Sequence, residues 1–345
     1  MFPSNMWYVI AWGSEVSDKP FHRIFCNESV LLFRSTAGEV AALTNICPHR
    51  FAPLHLGQII DGDRIQCPYH GLEFDVSGRC RHNPHGPTPP TVFLKSFPVV
   101  ERHSLVWLWL GEPHAADASL IPDFSCLTDP SLRTVGGVLK IEANFELVTD
   151  NLMDLSHVEF LHRGGLGSDA IKRGKHQVLQ SGTTLFSNRW CPNDMAPPVW
   201  DALFGNYGKP VDHWLDMRWD PPAHMLLDVG VTPAGRPRSE GITTWGLDIL
   251  TPETELSTHY FWGSTRNFEQ DSTATDQMMI HAVDTAFGGQ DKPMLEAVQR
   301  NMGARSFDDM RPLLLPFDSG AVRARRLLTD LRNGKRLLER PVAAP

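Results

Sequence analysis

The chain has 345 residues, 41% of them hydrophobic and 21% charged, an ordinary composition for a globular enzyme and enough length for two cores. A formal net charge of −8 speaks against a general nucleic-acid binder, which needs a basic face to meet phosphates. Met1-Phe2-Pro3-Ser4-Asn5-Met6-Trp7 lacks the basic and apolar regions of a leader, and the longest apolar run, residues 105–110, is far too short to cross a bilayer, so a cytoplasmic protein without membrane contact is expected.

Residues 1–113 read as a small antiparallel β domain. Short β-rich runs at 29–33, 40–43, 64–66 and 105–110 are separated by turns such as Asp61-Gly62-Asp63 and Ser77-Gly78. Two of its tips carry Cys47-Pro48-His49 and Cys67-Pro68-Tyr69-His70, so each loop offers one thiolate and one imidazole. Zinc accepts two Cys and two His. The same set also suits a [2Fe-2S] cluster, with the cysteines on one iron and the histidines on the other. Cys26, Cys80, Cys126 and Cys191 are scattered, and are expected to be small buried hydrophobes rather than disulfide partners.

Residues 112–117 form a loose connection, and residues 114–345 read as a second domain. A strand at 138–145 leads into a helix carrying Asn151, Asp154, His157 and His162, followed by a flexible Gly164-Gly165-Leu166-Gly167 loop. On a continuous helix Asn151, Asp154 and His157 fall within about 120° of one another, whereas His162 lies about 140° from His157. Both histidines can therefore meet one metal only if the helix ends or bends between them. Two imidazoles and one distant carboxylate make a facial triad with open positions, the arrangement that suits oxygen-activating ferrous iron. Strands are expected at 184–190, 224–231, 243–250 and 258–264, and helices at 273–287, 294–300 and about 319–338. The class is α+β, a curved antiparallel sheet gripped by helices. The residues alone leave the third ligand open among Asp276, Asp284, Asp291 and Glu296.

The two Cys/His tips, followed some 80 residues later by Asn151, Asp154, His157 and His162, resemble the oxygenase component of Rieske non-haem iron oxygenases over essentially the whole chain. Met1-Phe2-Pro3, Trp7-Tyr8-Val9, Tyr69-His70-Gly71-Leu72-Glu73-Phe74 and Ser96-Phe97-Pro98-Val99-Val100-Glu101-Arg102 are similar to the branch holding vanillate O-demethylase, dicamba O-demethylase and toluenesulfonate methyl-monooxygenase. The resemblance implies an N-terminal Rieske domain with Cys47, His49, Cys67 and His70 on the cluster, and a helix-grip catalytic domain with mononuclear Fe(II) on His157, His162 and Asp291. Otherwise Asp291 would only cap the helix begun by Lys292-Pro293. Gly288-Gly289-Gln290 stands where relatives commonly have bulkier or acidic residues. His55, His82, His85 and His103 match no ligand position.

The implied reaction is monooxygenation of a methoxy or methyl group of an aromatic compound. Ring dihydroxylation is the alternative, and a Rieske electron carrier without substrate chemistry the distant one. No dinucleotide fingerprint is found in the chain, so a separate NAD(P)H-dependent reductase, with or without a ferredoxin, must supply electrons. A homotrimer is implied, in which Asp154 bridges His157 of one subunit to His70 of the next and holds His157 by its carboxylate. Leu227, Asp248 and Ala282 match cavity positions, and an inward Asp248 calls for a substrate with a donor group. Arg323, Arg325, Arg326, Arg332, Lys335, Arg336 and Arg340 give the last helix a basic face that could dock an acidic ferredoxin-like partner.

Overall fold

A computed structural model describes residues 2–88 and 90–342, and the chain divides into two compact units, Met1–Ala118 and Ser119–Pro345. The division falls five residues beyond the expected join, after the single 3-10 turn Pro113–Ala115.

The first unit contains Met6–Trp12 (β1), Phe21–Phe25 (β2), Glu28–Arg34 (β3), Val40–Thr44 (β4), Gln58–Ile60 (β5), Arg64–Gln66 (β6), Glu73–Asp75 (β7), Cys80–His82 (β8), Val99–Arg102 (β9) and Leu105–Leu110 (β10). They form antiparallel sheets in the orders β1-β10-β9, β2-β3-β4 and β5-β6-β7-β8. Strand β10 reads Leu-Val-Trp-Leu-Trp-Leu without alternation because it is covered on both faces, and its first five residues are buried. Leu31, Phe33, Leu43, Leu54, Ile65 and Phe74 form a core directly beneath Cys47 and Cys67. That core anchors both cysteine loops.

The second unit is built on Arg133–Ile141 (β11), Lys175–Ser181 (β12), Thr184–Met195 (β13), Pro210–Asp220 (β14), His224–Pro233 (β15), Ile242–Thr254 (β16) and Ser257–Arg266 (β17). These make one seven-stranded antiparallel sheet, β11-β17-β16-β15-β14-β13-β12. Helices Phe145–Met153 (α1), Val158–Leu161 (α2), Asp169–Arg173 (α3), Pro198–Phe204 (α4), Thr273–Val283 (α5), Lys292–Met302 (α6) and Ser319–Arg332 (α7) accompany it. Leu152 and Met153 of α1 and Leu327 and Leu328 of α7 pack with Met217, Trp219, Met225 and Tyr260 of the sheet in one core.

Several elements differ from expectation for local reasons. The strand expected at 138–145 stops at Ile141, because the Asn144 side chain accepts the Glu146 N–H and starts α1 there. Between α5 and α6 the helix widens into a π-helical stretch, Asp284–Asp291, that contains Gly288 and Gly289. Helix α7 ends at Arg332 rather than near residue 338, since Gly334 turns left-handed at φ 65° and Lys335 N–H bonds back to the Asp330 carbonyl. No disulfide joins any of the six cysteines, and Cys126 is half-buried where the other five are buried. No helix among the described residues is long and apolar enough to cross a membrane.

Candidate metal centres and cavity

The two cysteine loops are built alike. Phe51 N–H bonds to the Cys47 carbonyl at 2.9 Å and Gly71 N–H to the Cys67 carbonyl at 3.0 Å, while Cys47 N–H and Cys67 N–H bond across to Ala52 and Leu72. Each turn closes through a left-handed residue, Phe51 at φ 61° and Gly71 at φ 72°. At Gly71 a side chain would also press on Pro84, whose Cγ lies 3.1 Å from the position a Cβ would take. The cysteines are buried and the His49 and His70 rings sit 4.5 Å apart, so two soft and two nitrogen donors gather at one end of the unit. Burial pushes the Cys47 thiol up to about 11, and the neighbouring Cys67 adds to the rise. A metal that takes both as thiolates must displace their protons.

In the second unit the helix breaks where two histidines need it to. Asp154 leaves α1 at φ −116° and ψ 95°, a 3-10 turn Leu155–His157 follows, and α2 is a single turn. The break brings the His157 and His162 rings to 5.2 Å. Asp291, at the end of the π-helical stretch, places Oδ1 3.5 Å from His157 Nε2 and Oδ2 3.2 Å from His162 Nε2. One donor atom from each of the three residues lies within 4.8 Å of the others. The other carboxylates left open by the sequence lie elsewhere: Asp276 pairs with Arg133 and Arg266, Glu296 with Lys292, and Asp284 is exposed.

Both imidazoles are held from behind. His157 Nδ1 meets the Asp154 main-chain carbonyl at 2.7 Å, and His162 Nδ1 meets Gln290 Oε1 at 2.6 Å, so each ring turns Nε2 toward Asp291. Asn151 Nδ2 donates to Asp291 Oδ1 at 3.2 Å and steadies the carboxylate. The expected contact between the Asp154 carboxylate and His157 is not formed. Because Asp154 caps the turn that follows α1, its carboxylate accepts Ser156 N–H and Oγ–H, and its carbonyl is what reaches the ring. Burial lowers the His157 pKa, favouring the neutral imidazole a metal requires. Burial acts the same way on His162, but the Asp291 carboxylate outweighs it and raises that pKa.

Above this cluster lies a cavity of about 150 Å³ floored by alternate residues of the sheet, among them Leu215 and Met217 of β14, Leu227 and Val229 of β15, and Thr244, Gly246 and Asp248 of β16. Leu227, Asp248 and Ala282, expected at cavity positions, all border it together with His157, His162 and Asp291. Cavities of about this volume admit a single benzene ring. Asp248 is 2% exposed and accepts a hydrogen bond from the Tyr260 hydroxyl at 2.5 Å. Burial pushes its carboxyl up to about 7, against the pull of that hydroxyl. Gly246 keeps the floor low, since a Cβ there would stand 3.6 Å from Leu227 Cβ and 3.8 Å from Asp248 Oδ2.

Residues 6–98 match the Rieske [2Fe-2S] domain, and residues 141–334 match the vanillate O-demethylase oxygenase C-terminal domain. The chain belongs to the Rieske non-haem iron oxygenases, in their vanillate O-demethylase branch. The dicamba O-demethylase oxygenase component of Stenotrophomonas maltophilia is 41% identical over 96% of this chain and 98% of its own. The chloroacetanilide N-alkylformylase oxygenase component of Rhizorhabdus wittichii strain DC-6 is 40% identical over 95% of each. A crystal structure of dicamba monooxygenase with non-heme iron and dicamba superposes with a TM-score of 0.85 at 40% identity, covering 97% of this chain and 98% of that one. The Rieske domain sets aside the zinc reading of the cysteine loops.

Sequence reasoning about this oxygenase missed Gln290, Tyr260, Gly246 and His213. Gln290 stood out only as a departure from relatives, and its contact with His162 spans 128 residues. Strand β14, which carries His213, has buried residues on both faces and so lacks the alternation that would have marked it.

Proposed function

We propose that the chain is the terminal oxygenase component of a multicomponent Rieske monooxygenase that oxidises a methoxy or methyl group of an aromatic compound with O2. The observation that carries this reading is the juxtaposition of His157, His162 and Asp291 with an apolar cavity sized for one aromatic ring, in a chain whose other unit is a Rieske domain. Cys47, His49, Cys67 and His70 are assigned to the [2Fe-2S] cluster, and His157, His162 and Asp291 to the mononuclear iron that a relative's structure also holds. When loaded, the two groups supply single-electron delivery and the reduction of oxygen.

The chain's own residues do the rest. His157, His162 and Asp291 border the cavity and would hold the iron at its edge. Leu215, Met217, Leu227 and Val229 exclude water and hold a ring by its faces. Asp248 offers an oxygen beside the Gly246 dent to a donor on the substrate, and so fixes which substituent turns toward the histidines. Hydroxylating the carbon of an aryl methyl ether gives a hemiacetal that collapses to phenol and formaldehyde, whereas an aryl methyl group stops at the alcohol.

Electrons come from a separate reductase, directly or through a ferredoxin. The oxygenase works as a homotrimer in which Asp154 accepts from His70 of the partner subunit while its carbonyl holds His157. Support comes from apolar side chains exposed beside each half of that contact: Phe51 and Tyr69 next to the cluster ligands, and Leu313 and Leu314 around the depression that holds Asn151 and Asp154. Oxygen uptake and formaldehyde release should be measured on methoxy- and methyl-substituted aromatics with reductase supplied. Formaldehyde in step with oxygen is expected from a methoxy substrate. A ring diol without formaldehyde or benzylic alcohol would replace the reading with dihydroxylation.

A further inference from the structure

The cavity holds a second buried polar group that the reaction has not used. His213 of β14 is 1% exposed and borders the cavity beside Trp200, the ring centroids 6.1 Å apart. Its Nδ1 lies 2.8 Å from the Gly230 carbonyl, which can only accept, so Nδ1 carries the proton and Nε2 the lone pair. Nε2 is buried and has no hydrogen-bond partner among the described residues. Burial lowers the His213 pKa to about 4, so the ring is neutral at physiological pH. A buried acceptor left unpaired is costly, and a ligand donor would relieve that cost.

His213 and Asp248 mark opposite ends of the cavity floor. On β15 the register partner of His213 is Val231 and that of Asp248 is Met225, six residues away and roughly 20 Å along an extended strand. Neither Lys nor Arg is among the residues lining the cavity. Away from the iron ligands a carboxylate or sulfonate would therefore shed its water without meeting a cationic side chain, and would face a lone pair at one end and Asp248 at the other.

Resting on the aromatic methyl-oxidation reading, we propose that His213 accepts a hydrogen bond from a hydroxyl or N–H of an uncharged substrate, and that the cavity rejects aromatic carboxylates and sulfonates. The test is calorimetric binding to the holoenzyme of 2-, 3- and 4-methoxyphenol, their methyl ethers and the matching methoxybenzoates. At least one methoxyphenol should bind about tenfold tighter than its methyl ether, the worth of one hydrogen bond, and every methoxybenzoate more weakly than either. His213→Phe should erase the preference for the phenol over its methyl ether. His213→Gln, which keeps a polar group able to accept, should retain part of it. The proposal fails if a methoxybenzoate binds tightest, if no methoxyphenol is preferred over its ether, or if His213→Phe, folded by circular dichroism, leaves the preference intact. Should His213→Phe not fold, a His213→Gln protein without any change in preference overturns it equally. His213-dependent phenol binding without formaldehyde would keep this site and discard demethylation, and formaldehyde from a methoxybenzoate alone would do the reverse.

Discussion

At the scale of single residues, the iron site depends on groups that never touch a metal. Gln290 fixes the tautomer of His162 through one side-chain contact, whereas His157 is fixed by a main-chain carbonyl that no substitution removes. Gln290→Leu should therefore weaken metal binding about 10- to 100-fold, read by cobalt titration of the iron-free protein, with cluster content unchanged. Asp154→Asn should leave both metals bound and nearly abolish product formation. Its amide oxygen can still accept Ser156 N–H, but the NH2 that replaces the second oxygen cannot accept an imidazole N–H from a neighbouring copy. Near-normal turnover in a fully loaded protein would overturn that role. His213 also predicts a pH effect. Its folded pKa, about 4, lies below the ordinary 6.5, so the unfolded chain takes up the proton first as pH falls. The stability present above pH 6.5 should drain away between about 6.5 and 4, on the order of 3 kcal/mol, and His213→Phe should flatten that part of a urea-unfolding series.

At the scale of elements, the last helix does different work from what its charge suggests. Arg325 makes ion pairs with Asp150 and Glu146 of α1, Arg332 also pairs with Glu146, and Arg323 donates to the Val178 carbonyl of β12. Much of the basic excess thus clamps α7 across α1, the helix that leads into the iron motif. Arg325→Ala should strand the partly buried Asp150 carboxylate, leave Glu146 with Arg332 alone and cost about 3 kcal/mol, seen as a lower midpoint in thermal unfolding. The exposed Arg326, Lys335 and Arg340 remain for a redox partner, which leaves a smaller face than the sequence pattern suggested. The π-helical stretch is the other element that composition hid. It ends on Gln290 and Asp291, and both neighbours reach the histidines from it.

At the scale of the whole molecule, the proposed electron route requires assembly. The protein should sediment as a trimer, and Leu313→Asp, which puts a charge in the exposed apolar patch near Asp154, should yield monomers that keep both metals but turn over poorly. A monomer as active as the assembled protein would overturn the inter-subunit route. The sequence by itself determined the donor types and their local grouping, because Cys47 with His49, Cys67 with His70, and His157 with His162 lie within five residues of one another, where a single turn or a helix break suffices to bring them together. It also determined the class, since β-rich runs and one late group of helical segments allow few architectures. Family resemblance picks Asp291 over Asp276, Asp284 and Glu296, and the fold sets it beside the histidine pair; only the tertiary structure decided that Asp154 holds His157 by its carbonyl, and that Asp248 and His213 share a cavity lined by no Lys or Arg. Those contacts join residues well over a hundred positions apart or depend on which backbone atom a cap turns inward, and they follow from sheet register and π-helical geometry that no local pattern of side chains encodes.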